Sequence, residues 1–304
     1  KLSLFQRSAP YVIPKPDRSY GSWEHALYEK LPALQTLSRA AMYTHHESRA
    51  LAMTVFKSAL KPFEWQFQRH LNKAIKNPVL RAKLTPDYPL GCKRILISNE
   101  YYETLARPNV DVVTDNIAEV TATGIRTKDG QEHPVDAIIY GTGFQATDFL
   151  APMKITGRGG VDLNQVWRDG AEAYLGMTVS GFPNLFLLYG PNTNLGHNSI
   201  VYMLESQFSY ILDVVKTLQQ RDLRFVDVRS QVQGVYNRWV QKQIKNTIWD
   251  AGCTSWYKTA SGKNTNNWPG FTLVYRYKTR HFDSQDYELA VKSARVVPLQ
   301  GVAA

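Results

Sequence analysis

Cysteine is nearly missing: 304 residues contain only Cys92 and Cys253. Two distant cysteines exclude a zinc site of the CxxC type. They can pair with each other, but they fall short of the framework a secreted disulfide scaffold of this size carries. Cys92 beside Lys93 and Arg94 has the setting of a low-pKa thiol, although a small buried filler describes it better. Long apolar runs are also lacking. None approaches the roughly 18 residues a membrane helix needs, and the longest, such as Asn184 to Tyr189, are strand-sized. No charged segment followed by an apolar one opens the chain as an export signal would. These readings together predict a reducing, cytoplasmic setting with no membrane span.

Several catalytic signatures are missing as well. There is no GxSxG nucleophile elbow. Gly262-Lys263 ends like a P-loop, but Asn264 stands where Ser or Thr is required and Tyr257 where glycine is required. Gly141-x-Gly143-x-x-Ala146 matches a dinucleotide fingerprint, yet Pro152 leaves no room for the helix N-terminus that the fingerprint needs. His45-His46-Glu47 has the wrong spacing for metal ligands on one helical face and reads as a solvated surface triplet.

Basic charge is plentiful. Lys and Arg number 36 against 26 Asp and Glu, a formal net charge of +10 that suits an anionic partner. The basic residues are scattered, and no nucleic-acid-binding module accompanies them, so a phosphorylated small molecule is preferred to nucleic acid.

Strand and helix signals alternate, which indicates an α/β fold. Leu2 to Gln6 reads as a strand. Residues 22–84 favour helix, broken by Pro32, Pro62 and Pro78 into short pieces, with Leu27, Leu31, Leu34 and Leu37 at helical spacing. Asn109 to Val113 is a strand, and Ile125 to Val135 a hairpin that leads into a buried strand, Val135 to Tyr140. A sheet segment is predicted at Asn184 to Tyr189. An amphipathic helix is predicted on Leu204, Phe208, Ile211, Leu212, Val215 and Leu218. A strand at Leu223 to Val228 and a helix opened by Val232, Val235 and Trp239 follow, and Phe271 to Tyr277 alternates like a strand.

Five segments in a fixed order carry a resemblance: Phe5 to Pro14, Gly91-Cys92-Lys93-Arg94, Asp136 to Phe144, Gly190-Pro191-Asn192, and Ser255-Trp256-Tyr257 with Gly262-Lys263-Asn264. Together they resemble the flavin-dependent Baeyer–Villiger monooxygenases, within the flavin-containing monooxygenase superfamily. Gly141 departs from the alanine usual at that strand end. The larger departure is that neither glycine-rich dinucleotide motif of the family occurs here. The resemblance therefore implies the C-terminal portion of such an enzyme, two nested Rossmann-like domains only partly present, with the missing motifs on an upstream segment of the same enzyme. Residues 1–143 would be the remainder of the NADPH-binding domain with a helical insertion at about 22–85. Residues 144–304 would be the C-terminal part of the FAD-binding domain.

The resemblance also implies cofactors, FAD and NADPH, and an activity, insertion of one oxygen of O2 beside a ketone carbonyl by way of a flavin peroxide, giving an ester or lactone. At the end of a nucleotide-binding strand a carboxylate selects NAD and an arginine selects NADP, so Arg7 with Ser8 favours NADPH. By resemblance Lys93 assists at the 2′-phosphate and Arg94 is the active-site arginine, its guanidinium holding charge whatever its burial. Ile200, Asn192 and Asn198 would lie toward the flavin, Leu195, Gly196 and His197 toward the substrate, and Trp256 on a loop that contacts NADP. The alternatives are oxygenation of a nitrogen or sulfur nucleophile and a non-catalytic nucleotide-binding fragment. Arg94 argues against the first of these, because heteroatom oxygenation needs no anionic oxidant.

Overall fold

The architecture was established from a computed structural model that describes residues 1–292. Two compact units divide the chain. The first comprises residues 1–146 with 196–198 and 243–258, and the second comprises 147–195, 199–242 and the chain from 259.

In the first unit, strand β1 (Leu2–Phe5) and the short β2 (Val12–Ile13) precede a helical block of α1 (Ser22–Lys30), α2 (Pro32–Thr54), α3 (Lys61–Ala74) and α4 (Pro78–Lys83). The three prolines mark helix starts: Pro32, Pro62 and Pro78 each occupy the first or second helical position, where proline's missing N–H costs nothing. Asn77 completes the start of α4 by accepting from the Val79 and Leu80 amides. One piece is not short, since α2 runs 23 residues.

The short β3 (Leu96–Ile97), α5 (Tyr101–Leu105) and β4 (Val110–Val113) follow. β1 pairs parallel with β4, and β2 pairs parallel with β3. β5 (Ile117–Val120), β6 (Gly124–Thr127) and β7 (Glu132–Pro134) form an antiparallel meander. The core gathers Phe67, Leu71, Tyr102, Met53, Ile248 and Trp249 around Val12 and Val112. Each such side chain contributes about 1.5–3 kcal/mol on burial. Leu31 and Leu37, in contrast, are exposed.

The second unit holds the short α6 (Leu163–Val166), the long α7 (Ile200–Gln220), β8 (Leu223–Val228), α8 (Ser230–Ile244), α9 (Thr272–Lys278) and β9 (Tyr287–Val291). β8 and β9 pair antiparallel. At Gly176 and Gly190 two backbones cross so closely that a Cβ on Gly190 would stand 2.3 Å from the Gly176 carbonyl oxygen. Gly190→Ala is expected to destabilise this unit by about 1–3 kcal/mol through overpacking, read as a lower urea midpoint with an unchanged slope.

Several expectations need correction. Phe271 to Tyr277 is helical: Thr272 and Tyr275, three apart, are its buried residues, and that spacing belongs to a helix. Asn184 to Tyr189 is not a strand, because Asn184 and Tyr189 both adopt positive φ, which breaks the extended run at each end. Val135 to Tyr140 forms no strand and is not buried. Ile139 is 91% exposed, because no described strand pairs with the run. On α7 the buried face is Met203, Ser206, Gln207, Tyr210 and Val214, while Phe208 and Leu212 face outward. Buried polar atoms there have partners: Gln207 donates to the Tyr275 hydroxyl at 3.0 Å.

Candidate functional site

β1 delivers the chain to the first part of the site. It ends with the Gln6 amide donating to the Val113 carbonyl at 3.0 Å, and Arg7 and Ser8 then emerge exposed. The Leu96 amide donates to the Tyr11 carbonyl at 2.8 Å as β2 and β3 pair, which sets the turn before β3 beside residues 8–11. Residues 85 positions apart therefore meet: Lys93 Nζ donates to Ser8 Oγ at 3.5 Å. The same ammonium lies 4.2 Å from the centroid of the Tyr88 ring, a cation–π contact that holds it in place. Arg94, the next residue, is exposed. A hydroxyl and a cation converge beside two further cations, a donor set suited to a phosphate.

Cys92, immediately before this pair, is bonded to Cys253. Cys92 is buried, as the filler reading has it, but the expectation of reduced thiols is corrected: the chain bends so that the two Cα atoms stand 6.3 Å apart, within reach of a disulfide. The bond ties the Lys93-Arg94 turn to the segment carrying Trp256, which is 42% exposed with its ring 4.2 Å from that of the buried Tyr257.

A second cluster in the first unit involves Gly196, His197 and Asn198. Gly196 is exposed, and a Cβ there would come within 3.2 Å of Trp249 and 3.4 Å of the Met53 sulfur. His197 is buried, and neither ring nitrogen has a hydrogen-bond partner. Burial drives its pKa down to about 4; the Glu47 carboxylate opposes that shift, while Arg49 and His46 reinforce it. Glu47 is itself buried and accepts from Asn198 Nδ2 at 2.6 Å. The solvated-triplet reading of His45-His46-Glu47 is therefore wrong for Glu47. It shares the buried side of α2 with Ala50 and Met53, a pattern readable from their three-residue steps.

The depressed pKa has a measurable consequence. Below about pH 6.5 an unfolded histidine takes up a proton that folded His197 refuses until about pH 4. Stability thus falls as pH drops through that window, by at most about 3 kcal/mol. His197→Gln is expected to show a smaller loss than the parent chain between urea midpoints at pH 7 and pH 4.5.

In the second unit, Asn192 is fully buried in a left-handed conformation. Its Nδ2 donates to the Asn264 and Asn267 carbonyls at 2.9 and 3.2 Å, and its amide donates to the Thr265 carbonyl at 2.8 Å, leaving Oδ1 without a partner. Leu195 is buried, and Ile200 opens α7. Asn192 and the segment at Asn264 thus meet, although 72 positions separate them. Gly141-x-Gly143-x-x-Ala146 is exposed apart from a half-buried Ala146, and no helix follows it. No described helix is long and apolar enough to cross a membrane, and no described cluster of His, Cys, Asp or Glu has a metal-ligand arrangement.

No protein-family profile matches the chain. Among curated proteins it is 46% identical over 290 residues to a Baeyer–Villiger monooxygenase of Pseudomonas aeruginosa, a match covering 95% of the chain and 55% of that protein. It is 42% identical over 291 residues to a Baeyer–Villiger monooxygenase of Streptomyces coelicolor, covering 95% of the chain and 56% of that protein. The chain thus spans about half the length of these relatives. Among solved structures it superposes on a steroid monooxygenase bound to NADP with a TM-score of 0.80 at 24% identity, covering 96% of the chain and 62% of that structure. A cyclohexanone monooxygenase in a closed form gives a TM-score of 0.81 at 22% identity, covering 96% of the chain and 62% of that structure. At such identities the likeness establishes the fold.

Proposed function

The chain belongs to the Baeyer–Villiger monooxygenase family, and from that premise we propose that it serves an FAD- and NADPH-dependent insertion of one oxygen atom of O2 beside a ketone carbonyl, giving an ester or lactone. The observation that carries the reading is the meeting of Ser8 and Lys93 next to Arg94. A hydroxyl and an ammonium a hydrogen bond apart, flanked by the exposed Arg7, fit the 2′-phosphate that distinguishes NADPH from NADH. The unpartnered Asn192 Oδ1 fits a polar group of a flavin. When bound, FAD reduced by NADPH supplies the electrons that activate O2.

The residues of the chain divide the remaining work. Arg7, Ser8 and Lys93 bind and orient the nicotinamide nucleotide through its phosphate. Arg94 brings a fixed positive charge to the negative oxygen that develops as the ketone carbonyl is attacked. His197, neutral above about pH 4, serves as a hydrogen-bonding group rather than a general acid. By the family likeness Leu195 and Gly196 would line the substrate side, Ile200 would help hold the flavin, and Trp256 would contact the nucleotide.

The exposed apolar run Ile138 to Phe144 supports one further part of the reading. Such a run has the composition of a strand buried on both faces, so we assign its cover to a segment of the same enzyme outside these 304 residues. The cytoplasm, with its NADPH supply, is the setting we favour. Purified protein is expected to show flavin absorbance and a ketone-dependent loss of NADPH with matching ester formation. Colourless protein that takes up neither cofactor would mean that the chain alone is no catalyst.

A further inference from the structure

Glu47 is a carboxylate on a helix face otherwise made of Ala50 and Met53. A charge in such a place is costly unless something specific is gained by it. Its surroundings say what that is. Oε2 accepts from Asn198 Nδ2 at 2.6 Å and stands 3.9 Å from Nε2 of His197, a side chain with no solvent exposure. One carboxylate oxygen therefore holds Asn198 by a hydrogen bond and lies near Nε2 of His197, beyond hydrogen-bond distance. A Cβ on Gly196, just before them, would come within 3.2 Å of Trp249 and 3.4 Å of the Met53 sulfur.

We infer that Glu47 is a positioning residue that selects the tautomer of His197, holding the proton on Nε2 and leaving the Nδ1 lone pair as the ring's acceptor. A neutral imidazole has one donor and one acceptor nitrogen, and a carboxylate near one of them favours the proton there. Asn198, anchored on the same oxygen, keeps the backbone beside the ring in register. The tautomer does not depend on the function proposed above.

The charge of the ring is not what Glu47 controls at neutral pH. The charged and titratable groups acting on His197 are Glu47, Arg49 and His46, all on α2; Met53 and Trp249, packed nearby, do not titrate. Removing Glu47 leaves burial, Arg49 and His46 all acting against protonation, so the ring stays neutral and only its tautomer can change.

Long-range 1H–15N spectra of the full chain labelled with 15N-histidine test the inference, with the His197 signals identified by their loss in His197→Gln. The parent protein at pH 7 is expected to hold the Nε2–H form. Glu47→Met is expected to give a mixture whose two nitrogen shifts converge, and Glu47→Gln, which keeps a carbonyl acceptor, to restore the parent pattern. An Nδ1–H ring in the parent protein, or an unchanged ratio in Glu47→Met, would overturn the inference. In the enzyme loaded with both cofactors, Glu47→Met is expected to lower kcat, with KM for NADPH unchanged and most of kcat recovered in Glu47→Gln. If no protein, the parent included, forms ester, the proposed function fails while the spectra still decide the tautomer.

Discussion

Arg94→Ala is expected to lower kcat for ester formation by about 10²- to 10³-fold, the usual cost of removing one donor that stabilises a developing oxyanion. The argument is electrostatic. Attack on a ketone carbonyl moves negative charge onto oxygen, and an arginine held at that point stabilises the transition state more than the ground state. Arg94 sits on a turn fixed twice, by the bond between the preceding Cys92 and Cys253 and by the contacts of Lys93 with Ser8 and Tyr88. A charge held in place before the reaction needs no reorganisation during it. Arg94→Lys keeps the cation but not the planar fork, and should recover only part of the loss. Product quantified by gas chromatography against NADPH consumed is the measurement. Full-rate ester formation by Arg94→Ala would remove the arginine from the mechanism.

The second large effect concerns the choice of nucleotide. Arg7→Ala combined with Lys93→Ala is expected to raise KM for NADPH by about 10²- to 10⁴-fold, since a hydrogen bond to a charged group contributes roughly 1.5–3 kcal/mol and each ~1.4 kcal/mol is tenfold. NADH lacks the 2′-phosphate, so its KM should hardly move. Ser8→Ala, which removes one neutral hydroxyl, should fall well short of the double variant. Comparing kcat/KM for the two nucleotides distinguishes this from general damage: a variant that loses both equally has lost its structure, not its phosphate contacts.

Local signals were readable wherever a residue's own covalent chemistry set the conformation. Pro32, Pro62 and Pro78 declared helix boundaries because their rings forbid any other place in a helix. The segment Leu223 to Val228, with Phe225, Val226 and Val228, declared a strand. Signals failed where a distant partner decided the outcome. Phe271 to Tyr277 alternates along the chain, but the burial of Thr272 and Tyr275 suits a helix, and no local pattern announces that. Ile138 to Tyr140 reads as a buried strand by composition and lies exposed without described neighbours to pair with.

The candidate site divides the same way. Arg7, Ser8 and Lys93 were singled out through resemblance, and only the parallel pairing of β2 with β3 explains why residues 85 positions apart touch. Glu47 reads as solvated from its charge alone, and only its helical phase with Ala50 and Met53 places it inside. The pairing of Cys92 with Cys253 went unselected because two cysteines in a long chain carry no spacing information.

That bond closes 161 positions of polypeptide into a ring, and a ring survives one cut. The exposed stretch around Ile139 and Phe144 lies inside it, where a protease reaches backbone most easily. Oxidised protein nicked there once remains a single covalent molecule. It should migrate as one band on a denaturing gel run without thiol and separate into two pieces when thiol is added.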